Sequence, residues 1–120
     1  MFAGITPFTR SNIAALKSHI RTARPEFKSS HVDEALAFAF GFRTQAALLV
    51  ALDQLGHTHL HAQANHLWFA LRLKQLGYPG VNPDALREIL WSATFDRDPD
   101  LSAREFEAAT IFRPHPANDR

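Results

Sequence analysis

Glycines that directly follow short helical patterns constrain this chain more than any other feature. The 120 residues include only five glycines, and Gly41, Gly56 and Gly77 each follow a stretch with apolar residues at helical spacing. Glycine adopts the left-handed conformation that ends a helix at little cost, so a helix is expected to stop at each of these positions. The chain is therefore predicted to be mostly α: one compact, irregular bundle of about six short helices.

Residues that favour helix starts precede the first three helical patterns. Thr9 or Ser11 can cap the first helix, Ser30 the second and Thr44 the third, because their hydroxyl groups accept hydrogen bonds from unpaired backbone N–H groups. The second and third helices are separated by a short turn at Gly41 and so form a helix-turn-helix unit. These signals predict helices over residues 10–24, 31–40 and 45–55.

The second half of the chain contains the same kinds of helix start signals. Asn65 caps a fourth helix, Asn82 followed by Pro83 opens a fifth, and Ser102 forms a capping box with Glu105 at the start of a sixth. Two prolines follow the sixth pattern, and the chain end is expected to fray there. These signals predict a fourth helix over 66–76, a fifth that begins at residue 83, and a sixth that begins after Ser102 and ends at about residue 112. Residues 113–120 form the predicted tail.

Composition limits the class of protein. One domain spanning 1–120 is expected from the length, and 46% hydrophobic residues predict a folded core. The chain has no cysteine, no signal-peptide pattern and no apolar run of about 20 residues, so a reducing cytoplasm is the expected setting. Catalytic templates such as phosphate loops and nucleophile elbows are missing, so we predict that the protein is not an enzyme and needs no cofactor.

Histidines alternate with apolar residues over residues 57–63, which predicts one short strand or hairpin. His57, His59 and His61 would share a face of that strand and are weak candidates for metal ligands. No carboxylate lies within the segment to complete a catalytic site. A solvent-facing edge or loop is therefore the favoured interpretation, and we predict no metal.

The helix-turn-helix unit also raises the question of DNA binding. Ala37, Gly41, Phe42 and Val50 occupy the spacings that such units use for packing. The third helix, however, is apolar nearly all round and offers few side chains for base edges. We therefore interpret it as the buried centre of the core.

The first helix carries a basic stripe, defined as Arg10, Lys17, Arg21 and Arg24. Helical rotation brings these four cations to one side, with no acidic residue among them. The stripe can bind phosphate or an acidic protein surface, or its side chains can simply lie in solvent beside a buried apolar face. It can also pair within the fold with the acidic residues of 84–107.

The fourth helix has more apolar surface than one core face needs. Leu67 and Leu71 project away from the side that carries Phe69 and Leu73, and Trp68 lies at the edge of the same patch. Such a patch is either covered by a terminal segment of the chain or binds another chain, with Trp68 and Trp91 as the strongest anchors. A partner protein or a homodimer is the expected use.

Two segments that together cover under a third of the chain are residues 30–37, continued by 40–44, and residues 69–79. They resemble modules of small helical bacterial proteins of unknown function, including glyoxalase-related helical domains and mobile-element genes. The resemblance implies a helical fold and a bacterial accessory gene. It implies no glyoxalase activity, because it carries no catalytic residues onto this sequence.

We therefore expect a non-catalytic protein that binds another macromolecule, foremost a protein, as a small inhibitor or regulator of plasmid or phage type. The alternative is a DNA- or RNA-binding regulator in which the basic stripe and Lys28 contact phosphates. A histidine-dependent metal site or enzyme is the third hypothesis. No membrane partner is expected.

Overall fold

The computed structural model describes residues 5–55, 60–93 and 111–112. The elements in chain order are β1 (Ile5–Pro7), α1 (Arg10–Ala23), α2 (Ser29–Ala39), α3 (Gln45–Leu55), β2 (His61–Gln63), α4 (His66–Gln75), α5 (Pro83–Ser92) and β3 (Ile111–Phe112). The mostly helical architecture is confirmed. Gly56, His57, His59, most of the predicted sixth helix and the predicted tail lie outside the described residues.

The predicted helix boundaries rest largely on caps that the structure contains. Four cap side chains accept hydrogen bonds of 2.9–3.2 Å from backbone N–H groups two or three positions further on: Thr9, Thr44, Asn65 and Asn82. Gly41 (φ 94°) and Gly77 (φ 112°) adopt the left-handed conformation after α2 and α4. The predicted Ser30 cap is wrong, because α2 begins at Ser29 and its N-cap, Lys28, makes no side-chain cap bond.

The centre of the core is α2, which packs against α1, α3 and α4. Its buried residues include three alanines, and these small side chains let neighbouring helices approach closely. The prediction that α3 is buried all round is wrong. Leu48 and Leu52 of α3 are buried, but Val50 is 56% exposed, because α3 has helix neighbours on one side only within the described residues.

A small sheet closes one side of the helices, with β2 in the middle. β1 pairs with β2 antiparallel, Thr6 opposite Ala62, and β3 pairs with β2 in parallel. The predicted strand is thus confirmed at its end, His61–Gln63. The sixth helix was predicted to reach Phe112, but Ile111–Phe112 is a strand, since sheet pairing overrides a local helical pattern there.

None of the helices within 5–55 and 60–93 has the length and apolar character that crossing a bilayer requires.

Candidate functional site

Two leucines form an exposed apolar face on α4. Leu67 is 53% exposed and Leu71 is 45% exposed, and their spacing of four residues places them one helical turn apart. Phe69 and Leu73, on the other side of the helix, are fully buried. We call Leu67 and Leu71 the α4 face. The sequence predicted this face, and the structure leaves both side chains in contact with solvent.

Trp68, the third residue predicted for this patch, lies differently. Its ring packs against Phe38 of α2, with ring centroids 5.3 Å apart, and it is only partly exposed. Trp68 therefore helps to join α4 to α2. Trp91 on α5 is 40% exposed, with the Arg87 guanidinium 5.3 Å from its ring centroid.

The basic stripe is largely neutralised within the fold. Arg10 donates two hydrogen bonds to Asp53, from Nε at 2.8 Å and from Nη2 at 3.1 Å, and these lower the pKa of the Asp53 carboxyl. Lys17 Nζ lies 2.8 Å from Asp33 Oδ1. These two carboxylates come from α3 and α2. Of the acidic residues of 84–107 that one alternative proposed as partners, those from Asp96 onward lie outside the described residues.

The other two cations of the stripe differ from each other. Arg24 donates from Nε to Glu26 at 2.7 Å, and its guanidinium lies 5.0 Å from the centroid of the Phe27 ring. The Glu26 carboxylate accepts hydrogen bonds from its own backbone N–H group and from Arg24, and these lower the pKa of Glu26. Arg21 is exposed, and among the described residues it has no ion pair. Arg21 is therefore the cation of the stripe that an anionic ligand can bind without displacing a carboxylate of the described residues.

A groove of about 300 Å³ lies between α1, α2 and α3. We call it the interhelical groove. Its charged lining residues are Arg10, Lys17 and Asp33; Lys17 pairs with Asp33, and Arg10 pairs with Asp53 beside the groove. Its apolar lining consists mainly of Ile13, Leu36, Leu48, Leu49 and Leu52.

A shallower pocket of about 510 Å³ adjoins the groove and shares Ala14 and Lys17 with it. Its lining also includes Arg21 and the hydroxyl residues Ser18, Thr22 and Ser29, and no carboxylate. We call it the basic pocket. Sequence reasoning placed Lys17 and Arg21 on one surface but missed both concavities, because these depend on how α2 and α3 pack against α1.

The helix-turn-helix unit departs from the DNA-reading pattern. Ala37 is fully buried, as such a unit requires, but Val50 is exposed on α3. Ala46 and Ala47 share the exposed side of that helix. Small apolar side chains give few hydrogen-bonding groups for base edges.

The histidine candidates do not form a site within the described residues. No three histidine or carboxylate side chains come together there as metal ligands. His61 is 4% exposed, so its predicted solvent-facing position is wrong: β2 is the central strand and the ring is enclosed. His57 and His59 lie outside the described residues.

Sequence reasoning missed a histidine and serine pair that are 73 positions apart. His19 Nε2 on α1 lies 2.8 Å from Ser92 Oγ at the end of α5. Ser92 Oγ also lies 3.0 Å from the Ile89 carbonyl oxygen, which is a second acceptor for its hydroxyl proton. The contact links α1 to α5.

Acidification is expected to destabilise the wild-type protein more than the His66→Gln variant. Burial at the start of α4, and then the positive charge of Arg87, lower the pKa of His66 from its ordinary value of 6.5. The unfolded chain therefore takes up this proton at higher pH than the folded chain does. The stabilising contribution is complete above pH 6.5 and is lost as the pH falls below that value.

The measurement is urea unfolding of both proteins from about pH 8 to about pH 5. The stability gained by the variant relative to wild type should grow as the pH falls. The effect is small because the ring is partly exposed and screened by solvent. Parallel pH curves for the two proteins would contradict the assignment.

Compared with protein-family models, with curated proteins and with solved structures, this chain matches none.

Proposed function

We propose that this protein is a non-catalytic binding protein that docks on a protein partner through the α4 face. The observation that carries the proposal is the solvent exposure of Leu67 and Leu71 side by side on one helix. Neighbouring apolar side chains in water favour association, because burying each one is worth on the order of 1 kcal/mol. The α4 face is small, so it forms the centre of a larger interface with a polar rim.

Charged side chains next to the α4 face supply such a rim. Lys74 is exposed one turn beyond Leu71, and Arg72 donates to Gln75 at 3.1 Å on the same helix. Charges at a rim steer the approach of a partner and contribute less to affinity than the apolar centre does. The expected interface therefore has Leu67 and Leu71 at its centre and the cations of α4 at its edge.

The biological setting is a further part of the proposal. A chain without cysteine suits a reducing cytoplasm. The resemblance to bacterial accessory genes supports a small inhibitor or regulator carried by a plasmid or phage. The non-catalytic part of the proposal rests on the missing catalytic motifs.

A nucleic-acid regulator is the weaker candidate. Arg10, Lys17 and Arg24 already have carboxylate partners, so phosphates must compete with those ion pairs to bind them. The exposed side of α3 is also poor in groups that read bases. Fluorescence anisotropy of a labelled duplex at two salt concentrations tests this candidate, since phosphate contacts make affinity fall steeply with salt.

Replacing both Leu67 and Leu71 with serine is expected to weaken partner binding at least tenfold, about 1.4 kcal/mol or more. Both side chains are exposed, so the variant should keep its fold, which circular dichroism checks. Pull-down from the source cells with quantitative mass spectrometry compares wild type, this variant and a matched control. The control is Val50→Ser, which removes an exposed apolar residue from α3.

A partner retained by wild type and by Val50→Ser, but lost by the double variant, supports the proposal. Sedimentation equilibrium identifies the case in which the partner is a second copy: wild type then dimerises and the double variant does not. The α4 face binds nothing if wild type, Val50→Ser and the double variant recover every bound protein equally and wild type does not self-associate.

A further inference from the structure

We propose that the interhelical groove and the basic pocket together bind an acidic segment of a partner protein. One large apolar side chain of that segment enters the groove, and its carboxylates face Lys17 and Arg21. The inference rests on the proposed function, because it names the chemistry of a protein partner and a second surface that contacts it.

The groove suits one apolar side chain. Its volume of about 300 Å³ is at the lower end of the range for ligand sites, about 300–1,000 Å³. Leu36, Leu48 and Leu52 are almost fully buried and form a fixed floor, and Leu49 is partly exposed. An apolar side chain that enters the groove is itself removed from water and covers the exposed part of Leu49, and such a buried side chain is the usual anchor of a protein interface.

The adjoining basic pocket sets the charge of the ligand. Lys17 and Arg21 line it together with hydroxyl groups, and no carboxylate is part of the lining. Arg21 has no ion pair among the described residues, so an incoming carboxylate meets a cation that has no competing partner there. Because both concavities share Ala14 and Lys17, one continuous ligand can reach both.

A peptide satisfies both halves of this surface better than a nucleic acid does. A phosphate backbone supplies anions for Lys17 and Arg21 but no flexible apolar group to enter the groove. An acidic segment with one bulky apolar residue provides both kinds of contact.

The test is selection from a displayed library of short random peptides on five immobilised proteins. Ala14→Trp fills the junction of the two concavities from an exposed helix position, and Ala15→Trp adds the same ring at an exposed position outside them. Arg21→Glu reverses the unpaired charge, and Arg43→Glu is its exposed control. Wild type completes the set.

Wild type and both controls should enrich peptides that combine Asp or Glu with one large apolar residue. Ala14→Trp should lower that enrichment at least tenfold, and Arg21→Glu should remove the preference for acidic residues. The inference is overturned if no peptide is enriched, if the enriched peptides lack acidic residues, or if Ala14→Trp behaves like Ala15→Trp. The inference is also overturned if wild type binds a labelled DNA duplex and Ala14→Trp blocks that binding, because the ligand of the two concavities is then a nucleic acid.

Selection on the Leu67→Ser, Leu71→Ser variant separates this inference from the proposed function. If that variant retains the acidic peptides, the groove acts as a surface distinct from the α4 face. If the Leu67→Ser, Leu71→Ser variant loses the acidic peptides while Ala14→Trp and Arg21→Glu retain them, the groove inference fails and the proposed function stands. Loss of the pull-down partner with retention of the peptides leaves both intact.

Discussion

Replacing Phe40 with alanine is expected to lower the free energy of unfolding by about 3–5 kcal/mol. The Phe40 ring is fully buried where α2 ends, and it packs edge-on against Phe8, with ring centroids 6.3 Å apart. Removing it leaves a cavity that α2 and the segment before α1 cannot close without moving. The measurement is urea unfolding followed by circular dichroism.

Phe42→Ala is the matched control for this prediction. Phe42 also contacts Phe8, at the same centroid distance of 6.3 Å, but it is only partly buried. Its loss of stability should be clearly smaller, because its ring already contacts water. A loss for Phe40→Ala no larger than that for Phe42→Ala would mean that the end of α2 is not part of the core.

Replacing Ala37 with leucine is expected to lower the free energy of unfolding by about 1–3 kcal/mol. Ala37 is fully buried on α2, which packs against three other helices. A larger side chain must displace one of them or adopt a strained rotamer. Thermal and urea unfolding both measure the loss.

The control is Ala47→Leu on α3, at an exposed position. Its effect should stay within about 0.5 kcal/mol. This pair decides which helix is central: equal losses for the two variants would fit the original prediction that α3 is the buried centre, and they would contradict the structure.

Local signals explain why helix boundaries could be predicted from the sequence. Thr44, Asn65 and Asn82 cap helices through hydrogen bonds to residues two or three positions away, so the information lies within a few residues. Gly41 and Gly77 end helices through their own backbone conformation. Ser30 misled the prediction because a residue with capping chemistry also fits within the first turn of a helix.

Burial was harder to predict than helix position. The apolar residues of α3 surround nearly the whole helix, which indicates a buried helix, yet Val50 is exposed. Periodicity shows which side chains are apolar but not how many neighbours the helix has. The small residues of α2 gave a weaker signal, although close packing made α2 the central helix.

The candidate surfaces were predicted in part for the same reason. The α4 face lies on a single helix, so its spacing is visible in the sequence. The Arg10–Asp53 contact joins residues 43 positions apart, and three helices separate β1 from β2 along the chain. Neither contact therefore has a local sequence signature. The two concavities beside the basic stripe likewise depend on tertiary packing.

Site-specific photo-crosslinking tests the central claim most directly. A photoreactive amino acid is placed at Leu71 in one protein and, in a control, at Ala15 of α1, which is exposed and lies outside both concavities; both proteins are irradiated in the source cells. The account predicts one major crosslinked protein at position 71, either a partner or a second copy of this chain, that Leu67→Ser in the same protein strongly reduces. If position 71 gives no crosslink above that at position 15, or gives one that Leu67→Ser does not change, the α4 face has no docking role.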